Sequence, residues 1–249
     1  MALTDTVAAR PAPHAAGQPL LAVRNLHAFY GESHILHGME FDVGAGEVVT
    51  LLGRNGAGKT TTLKAILGMV GKRTGAVRYQ GRDILGLPSH KVARLGIAYC
   101  PEERGIFSSL TVEENLMLPP VVRAGGMPVA EIYKLFPNLV ERKRSQGSKL
   151  SGGEQQMLAI GRILRTGAQL LLLDEPTEGL APVIVEQIGR ILAHLKQAGF
   201  TILLVEQNFR FASTVADRHH VVENGRVIDI IQRAELQSSI DKLQRYLGV

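Results

Sequence analysis

The short apolar run Glu47-Val-Val-Thr-Leu-Leu52 is rich in β-branched residues. A stretch with Leu63, Ile66, Leu67 and Val70 at helical spacing follows soon after, and between the two lies Gly53-Arg54-Asn55-Gly56-Ala57-Gly58-Lys59-Thr60-Thr61. The pattern reads as strand, loop, helix. A loop so poor in side chains lets backbone N–H groups converge on an anion, and the helix behind it adds its free N–H groups and the positive end of its dipole. The spacing G-x-x-x-x-G-K-[ST], here Gly53, Gly58, Lys59 and Thr60, supplies a cation for β and γ phosphates and a hydroxyl for Mg²⁺. This stretch commits the chain to an α/β fold that binds a nucleoside triphosphate.

The 249 residues suffice for one large domain, and 45% hydrophobic with 20% charged content is ordinary for a globular protein. No run approaches the 18 or so apolar residues of a membrane span. Residues 1–19, MALTDTVAARPAPHAAGQP, have no continuous apolar core and read as a flexible tail, not a secretion signal, so the chain is expected to stay in the cytoplasm. A single cysteine, Cys100, fits a reducing compartment and reads as a buried, inert thiol. The formal charge of +5 comes from scattered basic residues, and with 5% aromatics and no Trp there is no base-stacking platform, so nucleic acid is not an expected partner.

Strands are expected at Leu21–Leu26, Met39–Val43, into the loop at 47–52, and over Val77–Ile84 with a turn at Gly81. From about 103 to 166 the pattern becomes helical and more polar. Ala130–Phe136 is a helix stopped by Pro137, and Ser151 opens a longer one that closes near Gly167. Two strongly apolar strands, Leu170–Leu173 and Thr201–Val205, flank a helix over Val183–Ala198, a β-α-β unit that implies a parallel sheet. Val221–Ile228 is a hairpin turning at Asn224-Gly225, and Leu236, Ile240, Leu243 and Leu247 form a stripe that packs on the body.

Leu170-Leu-Leu-Leu-Asp-Glu-Pro176 ends a buried strand in two carboxylates. In open α/β sheets the ligand lies beyond such strand ends. Asp174 is thus placed for the Mg²⁺ shell and Glu175 as the general base for an attacking water. Leu150-Ser-Gly-Gly-Glu-Gln-Gln156 contains a capping box, Ser151 with Glu154. The box does not explain Gly152 and Gly153, each of which costs a helix about 1 kcal/mol relative to Ala. Bare N–H groups at a helix start make a second anion site, as if one nucleotide were held from two sides, by two chains.

GRNGAGKTT, LSGGEQQ and LLLLDEP, in this order, resemble the nucleotide-binding subunits of ABC transporters over residues 20–249. The resemblance implies a P-loop NTPase cassette with a mixed or parallel core sheet, an antiparallel β-subdomain and a helical subdomain at about 103–166. It also implies ATP and Mg²⁺ as ligands, and head-to-tail pairing in which Gly53–Thr61 of one chain and Ser151–Glu154 of another enclose each ATP. By the same resemblance Tyr30 stacks on adenine, Glu178–Pro182 crosses the dimer interface, and 101–123 meets a transmembrane permease subunit. Pro101-Glu-Glu-Arg-Gly-Ile-Phe107, Leu110-Thr-Val-Glu-Glu-Asn-Leu116, Leu135-Phe-Pro-Asn-Leu139, Leu204-Val-Glu-Gln-Asn208 and Tyr246-Leu-Gly248 are similar to LivF-type ATPases of branched-chain amino-acid importers. That likeness implies a LivG-like ATPase as heterodimer partner, with a homodimer open for the isolated chain, and a periplasmic binding protein acting indirectly. It places the chain at the cytoplasmic face of the cell membrane. Importers of urea, amides or other amino acids, and ABC ATPases acting on nucleic acid or ribosomes, stay open as alternatives.

Two positions depart from the general ABC pattern. Glu102 stands where most members have a metal-sensing Gln, and Gln207 where most have a switch His. A carboxylate about 5 Å from a phosphate charge feels roughly 3 kcal/mol of repulsion at an effective dielectric of about 20, unless it binds the metal or turns away. Glu102 is therefore a candidate for the metal shell. Gln207 is a candidate catalytic residue that can donate a hydrogen bond but cannot carry the charge of an imidazolium. His219 and His220 fall on opposite faces of one strand, which forbids a shared metal and leaves them a structural role.

Overall fold

The computed structural model describes residues 18–248, so the tail expected over 1–19 lies outside the described residues except for Gln18 and Pro19. The chain begins as an antiparallel ladder in which β1 (Leu21–Tyr30) pairs with β2 (Ser33–Val43). β3 (Val48–Leu52) then runs, buried at every position, into the glycine loop and α1 (Lys59–Ile66). β4 (Lys72–Tyr79) returns to the other side of β1 and turns into the two-residue β5 (Arg82–Asp83). After α2 (Ser89–Arg94) and β6 (Ile97–Cys100) come the helices α3 (Val112–Met117), α4 (Val129–Leu135), α5 (Pro137–Glu141) and α6 (Gly152–Arg165). The rest alternates as β7 (Leu170–Asp174), α7 (Pro182–Gln197), β8 (Thr201–Glu206) and α8 (Phe209–Val215), and closes with β9 (Arg218–Glu223), β10 (Arg226–Gln232) and α9 (Ile240–Leu247).

The strands form two sheets, an antiparallel one ordered β2-β1-β4-β5 and a six-stranded one ordered β10-β9-β3-β8-β7-β6. In the larger sheet only the edge strand β10 runs antiparallel to its neighbour. Its leucine-rich strands are buried on both faces because both are covered. Leu171, Leu173, Ile202 and Leu204 point toward α6 and α7, while Leu170, Leu172, Leu203 and Val205 face α1 and the antiparallel sheet. Two apolar layers therefore clamp β3, β7 and β8, and the C-terminal ends of these three strands emerge side by side at one rim.

Local chemistry sets boundaries that periodicity alone misplaced. The helix expected to run to Val70 stops at Ile66, because Leu67 caps it and Gly68 takes φ 74°. The strand expected over 77–84 with a turn at Gly81 does turn there, with Gln80 and Gly81 both at positive φ, but β4 starts earlier, at Lys72. Pro137 ends α4 but also opens α5 as its first residue, where a missing N–H costs nothing. Leu236 sits between two short 3-10 turns ahead of α9; Leu243 is buried beside Leu52, Ala212 and Ile231, with Leu236 and Leu247 packed against that cluster. At the β9–β10 turn Asn224 and Gly225 have φ 47° and 69°, as a type I′ turn requires.

His219 and His220 are fully buried on β9. His219 Nδ1 lies 2.7 Å from Thr50 Oγ1, whereas His220 packs on Phe41 and neither of its ring nitrogens has a partner. Burial pushes both imidazoles down to about 4. The unfolded chain takes up these protons near pH 6.5 and the folded chain only near 4, so the stability tied to the neutral rings is complete above pH 6.5 and is lost as pH falls through that window. Denaturant midpoints measured between pH 7 and 5 should fall less steeply in His220→Phe than in the wild type; equal slopes would show that His220 does not drive the acid sensitivity.

Candidate functional site

The backbone at the C-terminal end of β3 cannot rise straight from the sheet, because a Cβ at Gly53 would lie 2.4 Å from the carbonyl oxygen of Val222 on β9. Glycine alone allows that approach, and Gly56 and Gly58 then take φ 80° and 102° to wrap the loop back onto α1, whose N-cap is Gly58. The helix therefore starts at Lys59 with its first N–H groups facing the loop's concave side. Tyr30, Asn55, Gly56, Gly58, Lys59, Thr60 and Thr61 border one open cavity of about 500 Å³, together with Ile35, Glu102, Glu175 and Glu178.

Inside it the ionic groups are mutually engaged. Lys59, 4% exposed, donates to the carbonyl oxygens of Gly53 at 2.8 Å and Arg54 at 3.1 Å, and its Nζ lies 3.2 Å from Glu175 Oε1. Gln207 Nε2 donates to Glu175 Oε2 at 2.5 Å. Thr60 Oγ1 donates to Asp174 Oδ1 at 2.9 Å and the Tyr99 hydroxyl to Oδ2 at 2.8 Å. Burial raises the Asp174 carboxyl above the usual range, against the pull of these two hydrogen bonds.

Glu175 itself sits at φ 44°, an uncommon region for a residue with a side chain and a strain of order 1–3 kcal/mol. Its amide still donates to Val205 at the end of the sheet, so the positive φ acts just past the last ladder bond and turns the carboxylate toward Lys59. Around the rim, desolvation, then the charges of Glu175 and Glu102, raise the Glu178 carboxyl. Tyr30 is 47% exposed at the edge of the cavity, a ring available for stacking and not part of the core.

Not every expected residue converges there. The Arg54 side chain turns away, its Nε donating to the carbonyl of Leu247 at the end of α9 and its guanidinium lying against Gly248, so only its backbone serves the loop. Ser151, Gly152, Gly153 and Glu154 start α6 outside the cavity. The capping box is formed, with the Ser151 amide donating to Glu154 Oε2 at 2.7 Å, and Glu154 also pairs with Arg142 at 3.2 Å. A Cβ on Gly153 would meet Ile184 at 2.9 Å, so close packing accounts for that glycine, whereas one on Gly152 would come closest to the Arg104 guanidinium at 3.3 Å, the movable end of a long side chain.

Sequence reasoning missed Tyr99 and Glu206, each of which reaches the site from a strand whose pattern reads only as buried. Glu206 is 2% exposed and accepts from the Thr177 hydroxyl and from the amides of Gln207 and Asn208. Burial pushes its carboxyl up to about 7, with those hydrogen bonds opposing. Cys100 is buried under α6, its thiol pushed up to about 12 by burial, which suits an inert side chain. Among the described residues no group of three or more His, Cys, Asp or Glu forms a metal cluster, and no helix is long and apolar enough to cross a membrane.

Residues 36–178 match the family described as "ABC transporter". The chain is 42% identical over 238 residues to the "High-affinity branched-chain amino acid transport ATP-binding protein BraG" of Pseudomonas aeruginosa, covering 92% of this chain and 100% of the relative. It is 38% identical to the "Probable branched-chain amino acid transport ATP-binding protein LivF" of Archaeoglobus fulgidus, over 84% of this chain and 90% of that one. It is also 36% identical to the "Lipopolysaccharide export system ATP-binding protein LptB" of Escherichia coli K12, over 92% and 97%. Among solved structures, an ATP-binding subunit of an ABC transporter superposes with a TM-score of 0.76 at 30% identity, over 92% of this chain and 100% of that one. A bacterial ABC transporter cassette solved as a dimer superposes with a TM-score of 0.76 at 25% identity, over 86% and 98%.

A methyl group at position 53 must displace either the loop or β9. Gly53→Ala is therefore expected to lower nucleotide affinity at least about tenfold, roughly 1.4 kcal/mol, in a fluorescence titration. Unchanged affinity would mean that the loop does not need this approach to β9.

Proposed function

Since the chain belongs to the ABC transporter ATP-binding family, we propose that it is the ATP-hydrolysing subunit of an importer for branched-chain amino acids, working at the cytoplasmic face of the membrane. The observation that carries the site reading is the meeting of Lys59, Glu175 and Gln207 at the ends of β3, β7 and β8, beside Thr60 and Asp174. The substrate rests on similarity to the BraG protein, at 42% against 36% for the lipopolysaccharide-export relative.

Lys59 and the amides of 53–61 hold the β and γ phosphates, and Tyr30 stacks on the adenine from the rim. The hydroxyl of Thr60 and the carboxylate of Asp174, 2.9 Å apart, are hard oxygen ligands of the kind Mg²⁺ takes and would hold the ion, and Glu102 borders the same cavity. The bound ion neutralises charge on the phosphate oxygens. Glu175 takes the proton from the attacking water. Gln207 holds Oε2 of this carboxylate while Oε1 lies 3.2 Å from Lys59, so Oε1 is the oxygen that would face the water beside the phosphates. Gln207 thus orients the base without adding a charge.

The signature residues Ser151–Glu154 lie outside this chain's own phosphate cavity, so they serve the nucleotide of a second chain. That second chain is a LivG-like ATPase in the cell, with a homodimer formed by the isolated subunit, and Glu178–Pro182 lies along their interface. A mostly apolar hollow of about 340 Å³ lined by Met69, Pro101, Arg104, Pro119 and Pro120 receives the transmembrane permease; a periplasmic binding protein delivers cargo to that permease.

General bases contribute about 10²- to 10⁴-fold, so Glu175→Gln should lose at least 100-fold in Mg²⁺-dependent ATP hydrolysis with affinity kept within about threefold, while light scattering reports accumulating ATP-bound dimers. Turnover at the wild-type rate would remove Glu175 from the role of base. Lys59→Ala should instead weaken ATP binding itself by at least about tenfold, the size of one lost charge-assisted contact of about 1.5–3 kcal/mol, and full affinity would contradict its assignment.

A further inference from the structure

The last residue of β8 is a carboxylate buried to 2% exposure with no cation among its hydrogen-bond partners, a costly group to bury unless its hydrogen bonds have a purpose. Glu206 Oε1 accepts from Thr177 Oγ1 at 2.7 Å, and Oε2 accepts from the backbone N–H groups of Gln207 and Asn208, each at 3.2 Å. These donors belong to two different segments. Thr177 lies two residues beyond Glu175 in the turn that leaves β7, and the amides belong to the turn that leaves β8. Gln207 closes the circuit, its side chain donating to Glu175 Oε2 at 2.5 Å. Asn208 then caps α8 by accepting from the amide of Phe211 at 3.1 Å, which fixes the far end of the same turn.

We propose that Glu206 is a positioning residue for hydrolysis: it fastens the turn that carries Glu175 to the turn that carries Gln207, and so fixes where the Glu175 carboxylate points. This rests on the reading of Glu175 as the base. Three features set it apart from a carboxylate that merely fills the core. All three hydrogen bonds run to the two turns and none to the body of the sheet. Glu175 stands at φ 44°, a conformation that neighbours must hold in place. Gln207 supplies no ionic attraction to Glu175, so its amide has to be held at the right place by backbone anchors, and Glu206 binds the first two N–H groups of that turn. Glu206 touches neither Lys59 nor the phosphate loop in any of these contacts, so its loss should spare nucleotide binding.

Conservative and disruptive changes separate this role from general stability. A glutamine at 206 keeps the geometry, since its carbonyl oxygen can accept from the two amides and its NH₂ can donate to Thr177 Oγ1. On the full-length chain, under conditions in which the wild type hydrolyses ATP, Glu206→Ala should lower kcat at least about tenfold while the dissociation constant for a fluorescent ATP analogue stays within about threefold, a split that marks a lost transition-state interaction. Glu206→Gln should keep kcat within about threefold. Thr177→Val, which leaves the carboxylate buried but cuts one arm, should lower kcat, and adding it to Glu206→Ala should cost little more, as expected of residues that act as a unit. Full turnover in both Glu206→Ala and Thr177→Val, beside a dead Glu175→Gln control, would overturn the proposal alone. So would equal impairment of the Ala and Gln variants, or a loss of affinity in step with a lowered Tm. Wild-type turnover in the control would instead remove the reading of Glu175, and this inference with it.

Discussion

Everything at this site hangs on one ion pair, Lys59 Nζ with Glu175 Oε1 at 3.2 Å, both side chains less than a tenth exposed. A buried pair survives only when further hydrogen bonds satisfy what the two charges leave over. Two loop carbonyls do this for the lysine and Gln207 does it for the glutamate. The pair joins the end of β3 to the end of β7, and those ends coincide only because the parallel register aligns β3, β8 and β7 residue by residue. The apolar layers on both faces of the sheet are therefore what position the chemistry. On the proposed reading a triphosphate would offer Lys59 a stronger partner than this pair, leaving Glu175 to face the water.

Much of this was legible in the residues. The strand, loop and helix around Gly53–Thr61 and the four leucines ahead of Asp174 each declare a local structure, and the rule that ligands sit at the C-terminal ends of parallel strands puts them together. The capping box at Ser151 was readable for the same reason, as it involves only neighbours within four residues. What escaped depended on pairing between distant segments. Tyr99 reaches Asp174 across 75 positions and Thr177 reaches Glu206 across 29, and nothing in either local pattern announces the partner. Arg54 shows the opposite failure: it lies inside the motif, yet its side chain is drawn to the carbonyl end of α9, where a helix dipole favours a cation. Boundaries set by Pro137, Gly167 and Asn224-Gly225 were readable, whereas the early end of α1 ahead of Gly68 was not.

The two departures from the general ABC pattern acquire physical meaning together. A neutral Gln207 cannot pull on Glu175 by charge, so it relies on being held, and Glu206 supplies the hold. Glu102, where a neutral amide is usual, joins Glu178 and Glu175 in a carboxylate rim facing Lys59 and Thr60. Such a rim is costly beside phosphates unless a divalent cation is close, which is what the proposed metal shell would supply. The start of α6 lies outside the cavity that Lys59 and Thr60 border, which is why the proposal gives it to a second chain.

The central claim is that each ATP is enclosed by the loop of one chain and the signature of another, and mixing two crippled chains tests it directly. Lys59→Ala destroys only the loop half and a bulky substitution at Ser151 only the signature half, so each homodimer has no intact site. Mixed dimers contain one site made from the two undamaged halves. Turnover that is negligible for each variant alone and returns on mixing, toward half the wild-type rate per mixed dimer, is the result this account predicts. A mixture as inactive as its components, under conditions in which wild-type chains hydrolyse ATP, would contradict it and place the whole site within a single chain.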